Sequence, residues 1–187
     1  MLITWIIVIV VVLILVIFFV TGFNKLRSLK VGASEGLSGI DVQLTKRADL
    51  IPNLVETVKG YAKHESEVFE KVTEARAGMA AALKGTSVEA RAQAQATLDR
   101  AIFNVNAVAE AYPDLKASTN FLDLQNQLAS TEKDLAFARQ YYNDAAAQLN
   151  KAVSTLPWLL FKGVTGVSEV EFYKAPEGQA TPPTVSF

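Results

Sequence analysis

The sequence predicts an all-α protein with an N-terminal single transmembrane helix, an antiparallel four-helix bundle and a loose C-terminal tail. Residues 2–20 are almost entirely apolar. Beyond them, apolar residues recur three and four positions apart, which is typical of amphipathic helices. Short links containing Gly or Pro separate these helical stretches, as in antiparallel bundles. The predicted domains are the anchor at 1–22, the bundle at 23–162 and a Gly/Pro-rich tail at 163–187.

The first segment, "LITWIIVIVVVLILVIFFV", is long enough to be a membrane anchor. At a rise of 1.5 Å per residue it forms roughly 28 Å of helix, about the thickness of a hydrocarbon core. A secretory signal peptide has a positively charged start and a shorter apolar core, and this segment has neither. It carries no ionisable side chain with which to relay protons or bind ions. We therefore interpret it as an uncleaved tether.

Basic residues flank only one end of this segment. No Lys or Arg precedes it, whereas Lys25, Arg27 and Lys30 follow it. The positive-inside rule predicts a short N-terminus outside and a bundle in the cytoplasm. The same three side chains are candidates for contact with lipid headgroups.

Three glycines occur in the helical pattern that follows the anchor. Gly32, Gly36 and Gly39 lie four and three positions apart. One interpretation is a flexible hinge, because each glycine costs a helix about 1 kcal/mol relative to alanine. The other is a smooth strip that allows a neighbouring helix to approach closely. The sequence leaves both open.

The stretch "RADLIPNLVETVKGYAKHE", residues 47–65, has helical apolar spacing with Pro52 near its start. Proline disrupts a helix interior but is tolerated in a first turn, where the N–H has no intrahelical partner. Asp49 is a suitable N-cap just before it. We expect Pro52 to mark a corner between two helices or a kink in one long helix. The helix is predicted to continue through Met79 and end near Gly85.

Two further helices complete the predicted bundle. Ser87 is expected to cap a third helix, and Pro113 to form the turn after it. A longer fourth helix is predicted from about residue 121 to 156, where Pro157 stops it. In the tail, "VEFYK" is a candidate short strand.

The sequence lacks the motifs of common catalytic and cofactor sites. It has no cysteine, which excludes disulfides and thiolate ligands. His64 is the only histidine, and Val68 stands where a zinc protease needs its second histidine. A di-iron helix would need Glu where Tyr61 stands. No Gly-rich phosphate loop is present, and no basic stripe indicates nucleic acid. We predict a protein that is not an enzyme, with no catalytic residue, metal or cofactor.

Several polar residues are candidates for a buried network. Glu132 and Arg139 lie seven positions apart and share a face of the fourth helix, where Arg76 and Asn143 are candidates to meet them. Buried charges are costly unless they are paired. The set either fixes helix register or rims the bundle, or it forms a functional pocket. Lys46, Arg47 and Asp49 are interpreted as a solvated helix end, or alternatively as a patch that contacts a partner or lipid headgroups.

The aromatic run "LPWLLF" has two possible roles. Trp158 and Phe161 either cover the core or contact a membrane or partner, where aromatic side chains are favoured. The full candidate interaction surface comprises Lys25, Arg27, Lys30, Gly32, Gly36, Gly39, Trp158 and Phe161.

Several blocks in fixed order resemble the LemA family of bacterial membrane-anchored helical proteins. They are "DVQLTKRADLIPNLVETVKGYAKHE", "EAYPDLKASTNFLDLQNQLASTE", "ARQYYNDAAAQLN" and the closing "PPTVSF". The resemblance implies a four-helix bundle with a cytoplasmic body at the bacterial inner membrane. It also implies envelope functions, including magnetosome membrane formation and proximity to membrane peptidases. It supplies no catalytic residues.

The first functional hypothesis is a non-enzymatic, single-pass scaffold or adaptor. Its expected partners are membrane lipids through the anchor, together with a membrane protein or further copies of itself. One alternative is a membrane-remodelling protein that forms a lattice on the bilayer. Another is a regulator of a membrane peptidase.

Overall fold

The computed structural model describes residues 1–174, and all regular secondary structure in that range is helical. This confirms the all-α prediction. Residues 170–174 do not form the expected strand. The rest of the predicted tail, with the "PPTVSF" block, lies outside the described residues. The helices are α1 (Leu2–Lys59), α2 (Ser66–Lys84), α3 (Val88–Glu110), α4 (Pro113–Lys116), α5 (Thr119–Ser154), a 3₁₀ helix (Trp158–Phe161) and α6 (Lys162–Thr165).

Helix α1 contains the predicted anchor. Its N-terminal part is long and apolar enough to cross a membrane. The apolar side chains from Leu2 to Val20 are exposed to the surroundings and not buried against the rest of the chain. A fully apolar helix surface of this length is stable in hydrocarbon and costly in water. The chain therefore has an N-terminal helix of membrane-spanning length.

Of the two alternatives predicted for Pro52, the corner between two helices is wrong, because one long helix, α1, continues through this residue. Proline has no N–H to give to the carbonyl four residues earlier, which here belongs to Ala48. The Arg76 Nε of α2 donates a hydrogen bond to that oxygen at 3.0 Å. The chain reverses instead at residues 60–65, so the helix expected to run from Pro52 to Met79 is divided into the end of α1 and α2.

The other predicted helix ends agree with the structure. Helix α2 ends at Lys84, and Gly85 follows as its C-cap. The Ser87 hydroxyl accepts a hydrogen bond from the Ala90 N–H at 3.1 Å and caps α3. Helix α5 ends at Ser154, just before Pro157. These ends depend on local capping chemistry, which the sequence shows directly.

The described chain divides into two compact units. Unit 1 comprises Met1–Leu37 and Tyr141–Phe172, and unit 2 comprises Ser38–Gln140 with the segment that starts at Tyr173. In unit 1, α1 and α5 run antiparallel, since Gly22 lies at Phe161 and Gly36 lies at Tyr142. The unit 1 core contains Leu26, Ala33, Leu149, Ala152, Val153, Phe161 and Val167.

The start of the predicted loose tail is packed within unit 1, which corrects that prediction for residues 163–172. Val167 is buried in the core. The Asn150 amide of α5 donates to the Val170 carbonyl at 2.9 Å and accepts from the Val170 N–H at 2.8 Å. The Tyr142 hydroxyl donates to the Glu171 carbonyl at 2.6 Å. These side chains satisfy backbone polar groups of Val170 and Glu171, as a neighbouring strand does in a sheet.

Unit 2 is built from the second part of α1, helices α2, α3 and α4, and the first part of α5. Apolar rows at helical spacing face its interior, as the sequence pattern predicts. Its fully buried large side chains include Ile40, Leu44, Leu54, Val58, Met79, Leu98, Leu115 and Leu135.

Candidate functional site

Phe161 packs against the C-terminal end of the apolar segment in unit 1. Its ring centroid lies 5.3 Å from that of Phe18 and 5.7 Å from that of Phe19. A Cβ atom on Gly22 would overlap the Phe161 ring, so this glycine admits the aromatic side chain. Phe161 is therefore buried, whereas the adjoining Trp158 is half-buried with its ring 6.4 Å from that of Phe161.

Apolar side chains around Phe161 remain exposed. Leu160 is 65% exposed and Leu156 is 70% exposed. We name the exposed apolar side chains of this turn the apolar rim: Leu156, Leu159, Leu160 and Val164. Such a cluster is unusual on a surface that faces only water.

The predicted basic residues Lys25, Arg27 and Lys30 are all exposed on α1 just after the apolar segment. The Arg27 guanidinium lies 5.8 Å from the centroid of the Phe23 ring, within cation–π range. Exposed cations at this position are suited to anionic headgroups.

The three predicted glycines have different surroundings. A Cβ on Gly36 would lie 2.9 Å from the Tyr142 Cα, so Gly36 permits close approach of α1 and α5 in unit 1. A Cβ on Gly32 or Gly39 would meet nothing within 4 Å. All three belong to the helix α1.

A network of ion pairs lies within unit 2. Arg47 of α1 pairs with Asp99 of α3 at 3.0 Å and also with Glu132 of α5. Glu132 also accepts a hydrogen bond from Arg139 at 2.9 Å. Arg47 is only 8% exposed, so its interpretation as a solvated helix end is wrong. Burial lowers the pKa of Arg47 from its ordinary value, and the negative charge of Asp99 opposes that shift.

Tyr173 extends this network through α3. Its hydroxyl donates to the Gln95 Oε1 at 2.9 Å, and the Gln95 amide donates to Asp99 at 3.2 Å. The Arg139 guanidinium lies 6.0 Å from the centroid of the Tyr173 ring. Burial raises the pKa of Tyr173 to about 12, because the phenolate would be desolvated. The network thus holds a neutral phenol at its end.

A second ion pair joins α1 and α3 in unit 2. Arg91 donates to both carboxylate oxygens of Asp41, at 2.6 and 3.0 Å. Its guanidinium also donates to the carbonyls of Gly85 and Ser87 beyond the end of α2. This bidentate pair fixes the α2–α3 turn against α1.

The structure brings together only part of the predicted polar set. Glu132 and Arg139 meet, but Arg76 bonds to the Ala48 carbonyl and lies 3.9 Å from Asp49. Asn143 is half-buried in unit 1.

Sequence reasoning missed Asp41, Arg91, Gln95, Asp99 and Tyr173 as members of buried polar contacts. One signal was available for α3: Arg91, Gln95 and Asp99 repeat every four residues beside the apolar row of Leu98 and Ile102. Polar residues at the spacing of a buried face indicate internal pairing. Nothing local marks Tyr173.

His64 is exposed in the turn between α1 and α2. Among residues 1–174, no group of three or more His, Asp or Glu side chains is arranged to hold a metal ion. The polar side chains of the network contact one another across α1, α3 and α5.

The chain is similar in sequence to known proteins. It is 23% identical to magnetosome protein MamQ of Magnetospirillum gryphiswaldense, in a match covering 86% of this chain and 67% of that protein. Two MamQ proteins of Paramagnetospirillum magneticum are each 22% identical over the same shares. The sequence model of the LemA family matches residues 36–187. The match covers most of the chain and includes both the buried network and the apolar rim, and the protein therefore belongs to the LemA family.

Proposed function

We propose that this protein is a non-enzymatic, single-pass scaffold or adaptor at the bacterial inner membrane, with its helical body on the cytoplasmic side. The observation that carries the proposal is the composition of α1. One uninterrupted helix contains an apolar segment of membrane-spanning length and, after it, residues of both compact units. A body tethered in this way meets its partners in the plane of the membrane, where tethering raises their effective concentration.

The buried ion pairs support a structural role for the body. Arg47, Asp99 and Glu132 come from three different helices of unit 2. A buried ion pair is weak evidence for stability, and in this proposal the pairs set the register of the helices. In this proposal the four long helices α1, α2, α3 and α5 form an antiparallel bundle whose outer faces bind a membrane protein or further copies of the chain.

Self-association is the more specific form of this proposal. Phe103 of α3 and Phe137 of α5 are exposed apolar side chains of unit 2, where aromatic residues are suited to protein contacts. Crosslinking in intact membranes, followed by mass spectrometry, is the direct test. We expect crosslinks between copies or to one membrane protein. The full-length protein purified in mild detergent is expected to be larger than a monomer.

Matched surface variants sharpen this experiment. Phe137→Ser removes an exposed aromatic side chain from α5, and Lys133→Ser changes an exposed side chain one turn earlier on the same helix. Loss of crosslinks in F137S or Phe103→Ser, with retention in K133S, would locate the contact. A strict monomer that crosslinks to no membrane protein would contradict the scaffold.

A second candidate function is remodelling of the bilayer by a lattice of these molecules. The exposed cations Lys25, Arg27 and Lys30 directly after the apolar segment favour it, as do relatives that are named magnetosome proteins. Reconstitution of the full chain into liposomes at high coverage tests this function. Tubes or strongly curved vesicles are expected if it is correct, and unchanged vesicle shape would exclude it.

A further inference from the structure

We propose that the apolar rim is a second lipid-binding element, which inserts Leu156, Leu159, Leu160 and Val164 into the bilayer interface beside the end of the anchor. This inference requires only that the apolar segment of α1 spans a bilayer. It does not depend on the scaffold proposed above, and it holds for a monomer as well as for an assembly.

Contacts within unit 1 fix the depth of the rim. Phe161, in the middle of the rim sequence, packs on Phe18 and Phe19, which are among the last residues of the apolar segment. Gly22 lies against the same ring. If the segment spans the hydrocarbon core, its end lies at the lipid–water boundary. Phe161 and the side chains next to it must then lie at that boundary too.

The composition of the rim matches this boundary. The stretch from Leu156 to Phe161 contains no charged residue, and Lys162 follows it. The Trp158 side chain is half-buried, and tryptophan is enriched at membrane interfaces. Lys162 is partly exposed, and its long side chain can extend from an apolar surface into water. Interfacial binding elements combine these properties.

Lipid is the occupant that the location favours. The Phe18 and Phe19 side chains are themselves exposed outside their contact with Phe161. If the apolar segment spans a bilayer, acyl chains surround them. The rim adds further exposed apolar side chains at the end of the apolar segment. A second copy of the chain is the competing occupant of the rim, and fluorescence quenching distinguishes it from lipid.

The absence of cysteine in the chain allows a direct measurement. We would introduce Leu160→Cys, label it with an environment-sensitive fluorophore, and reconstitute the full chain into vesicles of phosphatidylethanolamine and phosphatidylglycerol. Lipids with a spin label near the top of the acyl chain serve as quenchers. Leu160 is an exposed side chain, so its replacement leaves the core intact. Leu156→Cys provides a second reporter in the rim.

Asp144→Cys is the matched control within unit 1. Asp144 is exposed on α5, close to Tyr142. Tyr142 packs at Gly36, which lies about 21 Å further along α1 than Gly22 at the helical rise per residue. The control label should therefore remain in water, on the same unit and the same helix pair.

We expect a blue-shifted emission at L160C and L156C, with strong quenching by the lipid-borne spin label, and neither effect at D144C. Rim labels that are quenched only by water-soluble iodide would overturn the proposal. Rim labels that are shielded from both quenchers, and become accessible to iodide when the protein is diluted in the bilayer, would also overturn it and assign the rim to a contact between copies.

Discussion

At the scale of single residues, charged side chains inside unit 2 form ion pairs between three helices. Arg47 occupies a position in the apolar row of α1, between Leu44 and Ile51. Its charge is compensated by Asp99 and Glu132, and Glu132 is shared with Arg139. An alternating chain of cation and anion avoids the cost of an isolated buried charge. The stability of unit 2 therefore depends more on the sign and position of each charge than on the number of ion pairs.

Replacing Arg47 should destabilise the protein more than replacing its exposed neighbour. Arg47→Leu leaves Asp99 without its cation, and we expect a loss of about 3 kcal/mol in the free energy of unfolding. Lys46→Ala, at an exposed position, should change it by less than about 0.5 kcal/mol. Denaturant unfolding of the full chain in detergent, followed by circular dichroism, measures both.

The double variant Arg47→Leu with Asp99→Leu separates pairing from packing. Removing both charges should recover much of the loss, because Glu132 keeps its hydrogen bond to Arg139. If Asp99→Leu lowers the free energy of unfolding of the Arg47→Leu variant further, as an independent core substitution would, this explanation is contradicted.

Tyr173 makes stability depend on pH in the alkaline range. Its pKa in the folded protein is about 12, above the ordinary value of 10.0. Folding favours the neutral phenol, so this contribution is fully present below about pH 10 and is lost as the pH rises through 12. Two pKa units correspond to about 2–3 kcal/mol.

Unfolding midpoints measured between neutral and alkaline pH test this dependence. Tyr173→Phe should be less stable at neutral pH, where it lacks the hydrogen bond to Gln95, but should decline less steeply above pH 10. Tyr141→Phe, at an exposed tyrosine, should retain the steep decline. Equal slopes for Y173F and the unaltered protein would show that Tyr173 is not the group responsible.

At the scale of elements, α1 shows how a long helix passes a proline. Pro52 leaves the Ala48 carbonyl without its intrahelical donor, and Arg76 of α2 supplies a replacement. The same hydrogen bond sets α2 against α1 after the chain reversal. The Ala48 carbonyl therefore lacks its intrahelical donor and, for the same reason, is free to bind the next helix.

A double-mutant cycle between Arg76 and Pro52 tests this role. Arg76→Ala should cost about 1–2 kcal/mol, because a helix carbonyl loses its donor. In a Pro52→Ala background, the new N–H bonds to Ala48, and the cost of R76A should fall by at least half. Asp49→Ala controls for the exposed ion pair with Arg76, which is worth little. Additive effects of P52A and R76A would refute the compensation.

Glycines four residues apart on α1 should respond oppositely to alanine. Gly36→Ala would force a Cβ to 2.9 Å from the Tyr142 backbone, and we expect a loss of about 1–3 kcal/mol. Gly32→Ala meets open space and should gain up to about 1 kcal/mol of helix stability. Thermal unfolding of both variants in the same detergent decides this prediction. A stabilised G36A would mean that α1 and α5 do not approach closely here.

At the scale of the whole molecule, the basic residues after the apolar segment predict the membrane topology. Lys25, Arg27 and Lys30 follow the apolar segment. Cations are retained on the cytoplasmic side during insertion. The body after the anchor is therefore expected in the cytoplasm.

Cysteine labelling in intact cells tests this topology on a cysteine-free background. Phe103→Cys, at an exposed position on α3, should react with a membrane-impermeant maleimide only after the membrane is opened. Leu2→Cys, at the N-terminal end of the anchor, should react in intact cells. Labelling of F103C in intact cells would place the body outside and reverse the proposed location.

The sequence by itself determined the apolar helix of membrane-spanning length, the helical class and most helix ends. Each of these depends on neighbouring residues: an apolar run, a spacing of three and four, or Ser87 beside the helix that it caps. Glu132 and Arg139 could also be paired from the sequence, since they lie on one face of one helix. An N-cap, or a pair of side chains on one helix, can be recognised without knowledge of the fold.

Only the tertiary structure decided the passage of α1 through Pro52, the burial of Arg47 and the docking of Tyr173. The donor for Ala48 lies 28 residues away in the chain, and the partner of Tyr173 lies 78 residues away. Whether a proline breaks a helix or a charge stays buried depends on which distant group satisfies the exposed polar atom. That group becomes a neighbour only after the chain has folded.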